Sequence, residues 1–194
     1  AAGDEHCCAK PRQMGIQVDG GFADHAVVPD PRYLIDATGI PPALAGTYMC
    51  SGLPAYSAIK RLGSLARRGP ILIVGLGGVG MMALAFAKAM LPHAALVADV
   101  SEEKRALALE MGAAAAFDPT DAGARKTLLK SYGGVHGAID FAGAETSLDF
   151  AQGALKKGGK VVVVGLFGGE FRMPIPFFPM RVIGIEGSYV GPLT

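Results

Sequence analysis

The chain has 194 residues, of which 51% are hydrophobic and 18% charged, and its formal net charge is +1. This balance excludes an intrinsically disordered chain and a basic nucleic-acid-binding domain, and at this length roughly 70% of the unfolded surface can be buried in a core. The three cysteines, Cys7, Cys8 and Cys50, are too few and too unevenly placed for a disulfide framework, which suits a reducing, cytoplasmic setting.

Gly69 to Ala87 carries no charge and has the length of a membrane span. Its internal pattern argues otherwise. Pro70 leads into Ile71, Leu72, Ile73 and Val74, a short apolar run that predicts a buried strand. After a cluster of glycines the period changes: Met82, Phe86 and Met90 recur every four residues, with alanines between them. That spacing predicts a helix whose small side chains let it lie close against a sheet. Lys88 and Pro92 end the apolar stretch. Strand, glycine turn and helix follow one another, and no membrane partner is implied.

The alternation continues downstream. Residues 95–98 predict a second strand ending at Asp99, and Ser101 with Glu102 and Glu103 predicts a capped helix running to Gly112. Residues 115–117 predict a third strand, 121–131 a helix, 135–141 a strand and 147–155 a helix. The β-branched run 161–164 predicts a strand buried on both faces. The proline-rich RMPIPFFP predicts a loop, and 182–189 a last strand. Strands alternating with helices imply the α/β class, with a doubly wound parallel (Rossmann) sheet.

Gly75, Gly77 and Gly80 fit G-x-G-x-x-G spacing, with Leu76, Gly78 and Val79 completing the loop. The first glycine permits the tight turn, the second lets the backbone approach a pyrophosphate, and the third lets helix and strand pack closely. The helix N-terminus offers free N–H groups and a partial positive charge to the phosphates. Asp99, nineteen residues beyond Gly80, stands where an acid can accept hydrogen bonds from a ribose and repel a 2′-phosphate. Val100 follows it, with no arginine there to receive that phosphate, so NAD is expected over NADP. Two rivals stand beside this reading. Asp99 could simply cap the next helix, although Ser101 is itself a competent cap. An S-adenosylmethionine-dependent methyltransferase also pairs a glycine turn with an acid ending strand two. The Gly-Gly inside the turn and the glycine-ended VVVVGLFGG favour a dinucleotide.

Several motifs in order, VDGGFADHAVVP, MCSGLPAYSAIKR, GLGGVG, VADVSEEK, Leu-Glu-Met-Gly-Ala and KKGGKVVVVGLFGG, resemble the zinc-containing medium-chain alcohol dehydrogenases. GLFGGEFRMPI resembles the archaeal members in particular. The resemblance implies a remnant of a GroES-like β substrate domain with its linker over residues 1–45, and a Rossmann NAD-binding domain over 46–194. VDGGFADHAVVP would be a strand of the former. Cys50 matches a ligand of the catalytic zinc, whose bland alternative is a small buried apolar residue. Cys8 matches the last cysteine of the structural zinc lobe, as a ligand left without a site. Lys104 matches a lysine near the adenosine ribose. Phe141, Ala142 and Gly143 match the strand end bordering the two riboses. Val164, Gly165 and Leu166, with Ser188, Tyr189 and Val190, match backbone contacts to the nicotinamide carboxamide. Pro54 stands where many members carry a threonine.

The motifs that supply the first zinc cysteine, the proton relay and Gly-His-Glu in that family are missing, and His6, His25, His93 and His136 do not stand in their places. The chain therefore reads as an interior piece of a longer dehydrogenase, with no signal peptide, that holds NAD and does not hold zinc by itself. Catalytic residues are not assigned. The implied activity is NAD-dependent oxidation of a small-molecule alcohol to an aldehyde or ketone. Its alternatives are a zinc-free NADPH-dependent reductase of the same superfamily and a non-catalytic NAD(H)-binding module. The strand RVIGIEGSYV resembles one that pairs across a twofold, which implies a homodimer or tetramer.

Overall fold

A computed structural model describes residues 5–192. Its centre is a six-stranded, all-parallel sheet of β1 (Leu72–Val74), β2 (Leu96–Ala98), β3 (Ala115–Phe117), β4 (Val135–Asp140), β5 (Leu155–Val163) and β6 (Gly184–Gly187). The spatial order is β3-β2-β1-β4-β5-β6. The winding reverses between β1 and β4, and a crevice opens beyond the strand ends at such a point.

The helices are α1 (Pro42–Thr47), α2 (Leu53–Leu62), α3 (Gly78–Met90), α4 (Glu102–Glu110), α5 (Ala124–Tyr132), α6 (Glu145–Gly153) and α7 (Phe177–Arg181). Alternation along the strands sorts the core into two layers. Ile71, Ile73, Val97, Ile139 and Val162 face one side and pack with Ala58, Leu62, Ala83, Leu84 and Ala87 of α2 and α3. Leu72, Val74, Leu96, Ala138 and Val161 face the other and pack with Leu128, Phe150 and Ala151 of α5 and α6. Burial of each such Leu, Ile or Phe contributes about 1.5–3 kcal/mol relative to exposure. The alanines of α3 allow its close approach, as their spacing implies.

Several expectations shift. Residues 147–155 do not form one helix: α6 ends at Gly153, and Leu155 opens β5, paired with Val135 ahead of a register shift that brings Gly137 opposite Lys160. Residues 161–163 of the apolar run are thus only the end of a nine-residue strand, Val164 lies just past it, and Val163 and Val164 are half-buried rather than covered on both faces. The RMPIPFFP stretch is not all loop, because Pro176 and Pro179 lie at the start of α7, where a missing N–H costs nothing. Val182, in left-handed conformation at φ +51, closes that helix, so β6 begins at Gly184 instead of 182.

The VDGGFADHAVVP stretch forms no strand; the nearest pairing is an isolated bridge between Met14 and Val18. A strand is stable only with neighbours to pair with, and none of the described strands lies beside it. No described helix is long and apolar enough to cross a membrane.

Candidate cofactor site

The glycine loop runs from the end of β1 into α3. Gly75 has φ +86, and a Cβ there would lie 2.8 Å from the backbone nitrogen of Ala142. A Cβ on Gly80 would strike the carbonyl of Gly75. Both positions are closed to other residues for structural reasons. Gly77 is different, since a Cβ there would meet nothing within 4 Å. Its bareness leaves open space before the first turn of α3, whose N-terminus no side chain caps. An uncapped helix start facing open space suits the pyrophosphate of a dinucleotide.

Asp99 follows β2 and is 8% exposed. Its Oδ2 accepts from the Leu76 N–H at 2.6 Å, and its Oδ1 accepts from the Ser101 N–H at 2.8 Å. The carboxylate thus braces the glycine loop from the neighbouring strand, and lone pairs remain on both oxygens for ribose hydroxyls. The capping alternative goes to Ser101, whose Oγ accepts from the Lys104 N–H at 3.3 Å at the start of α4. Val100 and Lys104 are exposed on the rim.

On the other side of the reversal, Phe141 packs near Gly80, and its N–H donates to the carbonyl of Val74. Gly143, at φ +68, lies so close to Gly165 that a Cβ on either would collide with the other's backbone. The N–H groups of Val164 and Gly165 both donate to the Asp140 carbonyl. The Ser188 N–H donates to Val163, while Leu166 and Tyr189 are exposed. Val190 adopts φ +53. Residues from β1, β2, β4, β5 and β6 therefore border one rim.

Asp140 was not singled out in the sequence. It is fully buried at the end of β4, and its carboxylate accepts from the N–H groups of Ala142 and Gly143 and from Ser147 Oγ, each at 3.0 Å. Burial raises its pKa, with those three hydrogen bonds pulling the other way. An acid closing an apolar strand, as in VHGAID, is the signal that marks it.

Cys50 lies in a π-helical turn, Tyr48–Gly52, between α1 and α2. It is exposed, so the buried-apolar alternative does not hold. Its neighbour Ser51 sets its Oγ 3.4 Å from where a Cβ on Gly78 would be, which brings this turn beside the glycine loop. Cys7 and Cys8 are exposed as well. His6 contacts Arg61, and His136 lies within β4. Among the described residues no three His, Cys, Asp or Glu gather to hold a metal, and a zinc site requires three or four convergent ligands. These residues alone do not fit a zinc.

Residues 78–193 match the family model described as zinc-binding dehydrogenase. The chain belongs to the zinc-binding dehydrogenase family. It is 35% identical to an NAD-dependent alcohol dehydrogenase of Saccharolobus solfataricus, over 97% of this chain and 55% of that protein. The alcohol dehydrogenase of Aeropyrum pernix superposes with a TM-score of 0.85 at 30% identity, covering 96% of this chain and 56% of the other. The D-arabinose dehydrogenase of Sulfolobus solfataricus shares the fold, with a TM-score of 0.87 at 23% identity over 99% of this chain and 61% of that one. The chain spans about half the length of the curated relatives it matches. Within the zinc-binding dehydrogenase sheet, the glycine loop stands at the reversal of winding, where ligands of such sheets sit, and Asp99 reaches it from the end of the neighbouring β2.

Proposed function

We propose that this chain carries the NAD-binding part of a dehydrogenase that oxidises a small-molecule alcohol to an aldehyde or ketone. The observation that carries the reading is the Asp99 carboxylate, which is buried, braced on Leu76 N–H and adjacent to the bare Gly77. Bound NAD would supply the hydride acceptor. The chain's own residues would bind and orient it. The N–H groups at the start of α3 would hold the pyrophosphate, Asp99 and Lys104 the adenosine ribose, and the turns 141–143, 164–166 and 188–190 the nicotinamide half.

Asp99 disfavours NADP, because a fixed carboxylate repels a phosphate of about two negative charges. This is the ground for preferring NAD over the zinc-free NADPH reductase. In relatives named alcohol dehydrogenases, a reading of Cys50 as a zinc ligand is natural, and its exposure beside the glycine loop is compatible with ligands from elsewhere in the protein. Cys8 carries no site here, and no step is assigned to zinc. The division into 1–45 and 46–194, a reducing cytoplasmic setting and a twofold assembly through the outer edge of β6 belong to the same reading. A mass independent of concentration and equal to one chain in sedimentation would remove the assembly.

The test is fluorescence titration with NADH and NADPH. The protein should bind NADH at least about tenfold more tightly, and Asp99→Ala should narrow that preference, as expected for loss of a charge contact of about 1.4 kcal/mol. Equal affinity for both in the parent protein would remove the role given to Asp99 and return the reductase alternative to the front, and binding of neither would leave the glycine loop a structural turn.

A further inference from the structure

Asp99 has a second, less obvious attachment. Its backbone carbonyl accepts from Nη1 of Arg105 at 2.7 Å, and the same nitrogen reaches Asp118 Oδ2 at 3.3 Å. Arg105 lies in α4 and Asp118 just after β3. The two strand ends are joined directly, since the Asp99 N–H donates to the Phe117 carbonyl. An arginine thus stands within a few bonds of the carboxylate read above as the ribose acceptor, turned toward a neighbouring acid. Its side chain is 20% exposed and that of Asp118 is 31% exposed. Linear inspection finds only Val100 after Asp99 and misses a guanidinium that reaches the same place from one helical turn away.

We propose that Asp118 is a second determinant of dinucleotide choice, acting by holding Arg105 in an ion pair and away from a 2′-phosphate beside Asp99. The inference rests on the reading of this cleft as a dinucleotide site. Two barriers then oppose NADPH. Asp99 repels the phosphate directly. Asp118 neutralises and orients an arginine at that strand end that could receive it, and arginine is the side chain best suited to grip a phosphate with two N–H groups. Removing either barrier alone leaves the other in force.

The chemistry of Asp118 allows a clean separation. Its Oδ1 accepts from the N–H and the Oγ1 of Thr120, at 2.9 and 2.6 Å, and these bonds shape the turn. Asp118→Asn can retain that oxygen while replacing Oδ2 with an amide group that donates rather than accepts, which breaks the ion pair, leaves Arg105 its bond to the Asp99 carbonyl alone and spares the turn. Asp99→Ser removes the repelling charge. Asp99→Asn does the same with less change of shape and serves if the serine variant does not fold, as judged by its melting curve.

The experiment is a thermodynamic cycle on NADPH affinity in the protein, with NADH binding by the parent as the reference for the cleft itself. Asp99→Ser should tighten NADPH about tenfold, and Asp118→Asn alone less than about threefold. The double variant should exceed the product of the two by about fivefold or more, since groups in one network couple. Adding Arg105→Gln should erase that excess, an outcome that a merely structural ion pair would not produce. Effects that simply multiply, or an excess that survives Arg105→Gln, overturn the inference while NADH binding by the parent keeps the cleft reading intact. A parent that binds neither nucleotide overturns both.

Discussion

Two stretches of this chain carry similar apolar side chains and treat them in opposite ways. Between β1 and β6 nearly every Ile, Leu, Val and Phe of the strands is buried, whereas Ile16, Phe22, Val27, Leu34 and Ile35 lie exposed near the N-terminus. Among the described residues 5–41, regular structure amounts to two short 3-10 turns and one isolated bridge. The difference is not in composition. Strand formation needs partners on both edges and a covering layer, and the central region has helices on both faces of its sheet. Apolar sequence sets what can be buried; neighbours decide what is.

The sharpest test of that contrast uses one residue type in both regions. Phe150, on the buried face of α6 against Phe117, is 1% exposed, whereas Phe22 is fully exposed. Phe150→Ala should cost about 3–5 kcal/mol in denaturant unfolding, and Phe22→Ala no more than about 0.5 kcal/mol. Similar losses at both positions would show that Phe22 is covered in solution, and the contrast would fail.

A smaller effect separates the acids of the two regions. Asp140→Ala strands the N–H groups of Ala142 and Gly143 and should cost about 2–3 kcal/mol. Asp140→Asn retains an acceptor and should cost less. The pKa of Asp140 is raised by burial, so its contribution is present below the unfolded-state value and is lost as pH rises through the folded value. The stability of Asp140→Asn should therefore improve relative to the parent as pH is raised through the carboxylate range. Asp36 has the opposite sign, because the hydroxyl and N–H of Thr38 hold its pKa down. Its contribution is present at higher pH and is lost as pH falls through the folded value. Asp36→Asn should lose ground as pH rises, and by less than is seen at Asp140, since Asp36 is solvent-exposed. Parallel melts across that pH range check both signs.

The central region was legible where its signals are local. The glycine spacing, the four-residue period of α3 and the acid after β2 each lie within one short window, and each element formed where they point. In sequence Leu155 reads as the end of a helix; its place in β5 comes from pairing with Val135, twenty residues earlier. Arg105 escaped for the same reason, as its relation to Asp99 exists only after α4 folds back along the sheet. Asp140 was visible as a residue but not as a support, because its three donors converge only in the closed turn. The strand expected over VDGGFADHAVVP had the right side chains and lacked neighbours.

The reversal of winding between β1 and β4 also has a kinetic consequence. The other strand pairs join segments roughly 20–25 residues apart, such as Leu72 with Leu96 and Lys160 with Gly184. Leu72 meets Ala138 about 66 residues along the chain. Closing that longer loop costs about 0.9 kcal/mol more conformational entropy than closing one of about 24 residues. Two halves, β3-β2-β1 and β4-β5-β6, can therefore assemble ahead of the contact that joins them. The cleft lies along that seam, so binding of the proposed nucleotide should emerge last, when the halves dock, and refolding followed by NADH binding should report a later event than refolding followed by strand content.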